Sequence, residues 1–115
     1  MANTFKVITK AGVTSSDVIY TVAGSTTTVI LGLMLGNTTS GSSNATVTLG
    51  TDTANRAGAN NEANQDVELL TTTAIPGNTT LELLAGNKVV METTDTLSVT
   101  GSAALDVVLS VMEIT

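Results

Sequence analysis

The sequence has no cysteine, no histidine and no tryptophan, and only one proline, one tyrosine and one phenylalanine. Without cysteine there is no disulfide and no thiolate metal site, and nothing marks a redox compartment. Without histidine the commonest general base and metal-binding ring is missing. Stacking platforms for sugars or unpaired bases reduce to Phe5 and Tyr20. Positive charge is also scarce: Lys6, Lys10, Arg56 and Lys88 stand against ten acidic residues, for a formal charge of −6. Nucleic-acid binding rests on clustered Lys and Arg, so no nucleic-acid partner is expected. The longest apolar run, Val29 to Leu35, is broken by Gly32. It falls far short of the ~20 residues a membrane helix needs, so no membrane partner is expected either. The first six residues lack the basic and apolar regions of a secretory signal, which predicts synthesis in the cytoplasm of the producing cell.

What remains is apolar and β-branched. Hydrophobic residues make up 42% of 115 residues, and the mean hydropathy is +0.33, so the chain is predicted to fold rather than stay disordered. Thr accounts for about a fifth of the residues and Val, Leu, Ile and Ala for nearly all of the apolar content. Such side chains suit a pleated surface better than a helix. Domains typically run to ~100–150 residues, so residues 1–115 are read as a single β-sandwich domain.

Short segments separated by Gly, Asn, Ser and Asp recur along the chain, the spacing of an all-β sandwich. Phe5 to Lys10 alternates Phe5, Val7 and Thr9 against Lys6, Ile8 and Lys10, and is expected to form a hairpin with Asp17 to Ala23. Val29, Leu31, Leu33 and Leu35 alternate with Ile30 and Met34, leaving both faces apolar. A strand of that kind is covered on both sides: one side by the core and the other, in so short a chain, by a neighbouring subunit. Ala45, Val47 and Leu49 point inward, Gly50 to Gln65 reads as one long loop able to serve as a contact arm, and strands follow over Val67 to Ile75, Thr79 to Leu84, Lys88 to Glu92 and Thr96 to Thr100. Pro76-Gly77 suits a type II turn with the positive φ at Gly77. Finally Leu105, Val107, Leu109 and Val111 alternate with Asp106, Val108, Ser110, Met112 and Ile114. The expected fold is an antiparallel β-sandwich of eight or nine short strands, a jelly roll or related Greek key.

Little catalytic chemistry is visible. The carboxylate pairs Glu68 with Glu82 and Glu92 with Asp95 read as solvent-facing charges on alternating strands or turns. Gly32 and Gly36 are not followed by the Lys of a phosphate loop. Asp52, Asn55, Asn60, Asn61, Glu62, Asn64 and Asp66 supply oxygens, but not at EF-hand spacing. Asn37, Asn44 and Asn78 each begin an Asn-x-Thr triplet, expected by chance in this composition. The reading is a protein that is not an enzyme and needs no cofactor.

Three stretches resemble small virion structural proteins of tailed bacteriophages, especially those of marine and cyanobacterial hosts. They are Val18-Ile19-Tyr20-Thr21-Val22-Ala23-Gly24-Ser25-Thr26-Thr27-Thr28-Val29-Ile30, the turn Ile75-Pro76-Gly77-Asn78-Thr79-Thr80-Leu81-Glu82-Leu83, and a tail running from Lys88-Val89-Val90-Met91-Glu92 through Asp95 to Ile114. Thr93-Thr94 stands where the group carries Ala-Gly or Glu-Gly. The resemblance implies a virion subunit made in the host cytoplasm, a capsid decoration or cement protein that packs on the major capsid protein or another virion protein. Its implied state is a homo-oligomer, with a trimer expected. A neck, collar or tail-fibre component would share this fold, and a bacterial surface or carbohydrate-binding module is the alternative of another class. The expected subunit interface comprises Val29, Ile30, Leu31, Leu33, Met34, Leu35, Val108, Met112 and Ile114.

Overall fold

The computed structural model describes residues 2–51, 65–84 and 87–115. Among them run nine strands: β1 (Asn3–Val13), β2 (Asp17–Thr21), β3 (Thr27–Asn37), β4 (Ser43–Thr51), β5 (Gln65–Ile75), β6 (Thr80–Leu83), β7 (Val89–Met91), β8 (Thr96–Gly101) and β9 (Leu105–Ile114). They form two antiparallel sheets, the all-β sandwich that the alternation predicts. The front sheet has the order β1-β9-β3-β6, with β7 continuing beside β6 on β3, and the back sheet has the order β2-β8-β4-β5. Counting β6 and β7 as one interrupted strand, the pairs β1·β9, β2·β8, β3·β6/β7 and β4·β5 nest around the β4–β5 connection. That nesting is the double Greek key of a jelly roll.

The core lies between the sheets. Ile30, Leu33, Leu35, Leu105, Val107, Leu109 and Val111 from the front meet Ala45, Val47, Leu97 and Val99 from the back, all at most 1% exposed. β9 behaves as its alternation predicts, with every second residue from Leu105 to Val111 buried.

Five expectations are corrected, the last at Asp95 below. The first two strands do not form a hairpin: β1 pairs with β9 and β2 with β8, in different sheets. The hydrogen-bonding edge of β1 is better satisfied by the regular ten-residue partner β9 than by the short, bulged β2. The reading of Gly50 to Gln65 as loop fails at both ends, because β4 continues through Thr51 and β5 begins at Gln65. The contact-arm reading and all but Asp66 of the oxygen-rich set, from Asp52 to Asn64, lie outside the described residues. At Pro76-Gly77 the positive φ falls on Asn78, at 58°, and not on Gly77. Gly77 is needed for space: a Cβ there would lie 2.2 Å from the Ser40 carbonyl oxygen, because this turn sits directly on the 38–42 connection. The fourth correction concerns the phase of β3 and is taken up below.

Polar contacts tie the sandwich together. Asn37, buried between the sheets, donates through Nδ2 to the carbonyls of Gly41 (2.8 Å) and Ile75 (2.9 Å), and its Oδ1 accepts from the Thr39 amide and hydroxyl. Its amide is thereby committed to the fold, which removes the Asn37 triplet as a glycan acceptor. At the other end, Tyr20 on β2 donates to Glu113 Oε2 on β9 at 2.5 Å and accepts from the Thr28 hydroxyl at 2.7 Å. Lys6 Nζ meets Glu113 Oε1 at 2.8 Å. These four side chains join β1, β9, β3 and β2 across the inter-sheet gap. Asp95, expected to face solvent, is instead fully buried, because the turn folds its carboxylate back to accept from the Glu92 amide at 2.9 Å. Thr94 beside it has φ 72°, the left-handed conformation suited to the Gly of the resembled group.

Candidate assembly surface

In antiparallel sheets, residues directly opposite each other point to the same side. The register of the front sheet can therefore be followed strand by strand. Phe5 lies opposite Met112, Met112 opposite Val29, and Val29 opposite Val90. This row crosses β1, β9, β3 and β7 on the face turned away from the core. A second row runs Val7, Ser110, Gly32, and a third runs Thr9, Val108, Met34, Glu82. Asn3, Ile114 and Thr27 complete the end of the face. A sheet face covered on one side only normally alternates polar outward. Here the outward positions are mostly Val, Met, Ile and Phe.

These side chains are open to solvent: Phe5 is 70% exposed, Val7 64%, Val90 55% and Met34 39%. Val29, Leu31, Val108, Met112 and Ile114 are half-buried and do not pack on the core. Six of the nine residues expected at an interface therefore lie away from the core: Val29, Leu31, Met34, Val108, Met112 and Ile114. Ile30, Leu33 and Leu35 do not. They are at most 1% exposed and form part of the core. One face of β3 belongs to the core, and a β-bulge between Ile30 and Gly32 makes that face a mixture of the two alternating sets. One extra residue, Leu31, shifts the alternation, so that Ile30 and Leu33, three apart, face the same way. A strict two-residue period cannot show this.

Phe5, Val7, Val90 and Gly32 were missed by sequence reasoning. The alternation of Phe5 and Val7 against Lys6 and Lys10 is plain, but lysines on an alternating strand normally mark the solvent side. β1 is an edge strand, so its lysines reach around the rim, Lys6 to Glu113 and Lys10 to Asp17 at 3.5 Å. The apolar side is left facing water.

Between the second and third rows is a depression of about 200 Å³ lined by Gly32, Leu33, Met34, Glu82, Leu83, Val108 and Ser110. It exists because Gly32 and Ser110, paired across the strands, carry almost no side chain. The carboxylate pairs weighed from sequence do not make a site here. Glu68 and Glu82 lie on different sheets, and Asp95 is spent on the turn it shares with Glu92. Among the described residues no three or more of His, Cys, Asp and Glu cluster as metal ligands, and no helix is long and apolar enough to cross a membrane.

No protein-family model matches the chain, and no curated protein matches it. A solved structure described as "Bacillus endospore appendages form a novel family of disulfide-linked pili" is similar to it, with a TM-score of 0.50 and 15% sequence identity. The match covers 97% of this chain and 84% of that one. At that identity the likeness speaks to the fold alone.

Proposed function

We propose that the chain is a structural subunit, not an enzyme, that works by packing against copies of itself in a larger assembly. The observation that carries this reading is the row Phe5, Met112, Val29, Val90 and its neighbours: an apolar sheet face four strands wide and open to water. Contiguous apolar patches of more than a few hundred Å² are rare on monomers and mark interaction surfaces. The composition supports the same reading, since histidine and cysteine are absent.

For the setting, the sequence resemblance to tailed-phage virion proteins favours a virion, with the subunit decorating or cementing a capsid by docking on the major capsid protein. A neck, collar or tail-fibre position would use the same surface. The fold likeness to a spore appendage subunit favours a second setting, a bacterial surface appendage. If the chain builds such a filament, it does so without disulfides of its own, because it has no cysteine.

Solution mass by light scattering across a dilution series tests the self-assembly. The expected result is an oligomer that persists to low micromolar concentration, and a monomer at every concentration would overturn the proposal. Negative-stain imaging of the concentrated protein then separates the settings, since filaments fit an appendage and small discrete oligomers without filaments fit a decoration subunit.

A further inference from the structure

We infer that two copies of the chain pair face to face through the outer surface of the front sheet, the Phe5 ring of each seated in the depression over Gly32 of the other. The inference rests on the self-assembly reading and names the partner and the contact that the apolar face serves.

Gly32 is the first observation. It lies inside β3, between β9 and the β6/β7 edge, where glycine weakens a strand and often marks close approach by something else. Its φ is ordinary, and a Cβ added there would meet nothing within 4 Å. The folded monomer therefore has no need of a glycine at this position. What the glycine creates is the depression, with Ser110 as its other small neighbour and Met34 and Val108 as walls.

The depression fits one side chain better than a free ligand. Small-molecule sites typically enclose ~300–1,000 Å³, whereas this one holds about 200 Å³. An apolar cavity of ~150 Å³ is enough to take a benzene ring. Phe5 supplies such a ring. It is the chain's only phenylalanine and, among the described residues, the most exposed large apolar side chain, at 70%.

Ring and depression lie on the same face, and this decides the symmetry. When one copy's ring enters the other's depression, the two faces meet and the reciprocal insertion follows about a twofold axis, which closes the contact at two. Strands lie ~4.8 Å apart and rise ~3.3 Å per residue, so Phe5 and the depression are separated by about 10 Å across the strands and about 10 Å along them. A twofold axis in the interface that exchanges those points runs at about 45° to the strands. The strands of the two sheets then cross near 90°, the orthogonal class of sheet packing. Val7 and Ser110 fall near the centre, and the two Glu82 carboxylates go to opposite rims.

The area is modest. A face four strands wide and, like β9, 10 residues long is about 19 Å by 33 Å, and two such faces crossed near 90° overlap over about 19 Å by 19 Å, roughly 360 Å² in projection. Accessible area over protruding side chains exceeds the projected area and brings the pair to the low end of specific interfaces, about 1,000 Å² in total, so the two ring insertions carry most of the affinity.

The experiment is sedimentation velocity over a dilution series on the full chain, on Phe5→Ser, on Gly32→Val, and on an equimolar mixture of the two variants. Phe5 is exposed and Gly32 has open space above it, so both variants keep the fold, which circular dichroism checks. The wild type is expected at twice the 11.6 kDa chain mass. Each variant alone should dissociate at roughly tenfold or higher concentration, since central aromatic anchors dominate interfaces. The mixture should associate more tightly than either variant alone, because the Gly32→Val copy still has its ring and the Phe5→Ser copy still has its depression. A trimeric wild type, an unchanged dimer in both variants, or a mixture no tighter than its components overturns the pairing and leaves self-assembly standing. A wild-type monomer overturns both.

Discussion

Glu113 and Tyr20 carry the clearest chemistry of any residues in the molecule. The hydrogen bonds from Lys6 and Tyr20 hold the Glu113 carboxyl below its ordinary value of 4.5. A group depressed in the folded state adds stability above its unfolded pKa, and that stability is lost as pH falls through the folded value. Glu113→Gln should therefore unfold at lower urea than the wild type at pH 7, with the gap closing below about pH 4. Tyr20 moves the other way: burial, and the hydrogen bond to Glu113, push it up to about 12 from 10.0. Its contribution is complete below pH 10 and fades as pH climbs towards 12. Because Tyr20 is the only tyrosine and there is no tryptophan, ultraviolet absorbance during an alkaline titration reports this one group. The midpoint should be near 12 in the folded protein and near 10 in urea. A folded midpoint near 10 would mean that neither the burial of Tyr20 nor its bond to Glu113 persists in solution. None of this is legible in the sequence, where Tyr20 and Glu113 are 93 residues apart and look like ordinary strand residues.

At the scale of elements, β9 and β3 make a useful contrast. β9 is regular, so its alternation in sequence is its alternation in space. β3 carries the bulge at Leu31, and its inward set is Thr28, Ile30, Leu33, Leu35 and Asn37. Alanine substitutions should reveal the true phase. Ile30→Ala removes a fully buried side chain and leaves a cavity, at a cost of ~2–5 kcal/mol. Met34→Ala takes a side chain from the open face and should cost the monomer under ~0.5 kcal/mol. Urea denaturation of dilute protein separates the two, and equal losses would place the bulge elsewhere. Turn chemistry is similarly hidden. Thr72, Thr94 and Asn78 all take positive φ, although threonine is a poor choice for it. Asn78 suits that conformation, whereas the two threonines adopt it against their own preference.

For the whole molecule the governing feature is the nested pairing, which brings the two ends of the described chain together. The Ala2 amide reaches the Thr115 carbonyl at 3.2 Å, and the Thr115 amide returns to Ala2 at 3.0 Å. Pairings of such long sequence separation fold slowly, on the millisecond-to-second scale typical of all-β sandwiches. Joining residues 115 and 2 through a short glycine linker, with new ends opened between Ser15 and Ser16, both exposed, turns β1 and β9 into a local hairpin. The permuted chain should keep the native circular dichroism spectrum and refold several-fold faster in stopped-flow mixing. An unchanged rate would show that the β1·β9 pairing forms after the rate-limiting step.

Composition and alternation by themselves determined the fold class: strands because of Thr, Val and Ile, and a sandwich because short apolar runs recur between turn residues. They also marked Val29 to Leu35 and the C-terminal strand as having more apolar surface than one core takes up. Which of those side chains enter the core, which strand pairs with which, and that Phe5 and Val7 face water while the lysines beside them reach around the edge were decided only in three dimensions. Alternation reports that two faces differ. Bulges and edge positions, which depend on partners far along the chain, decide which face is buried.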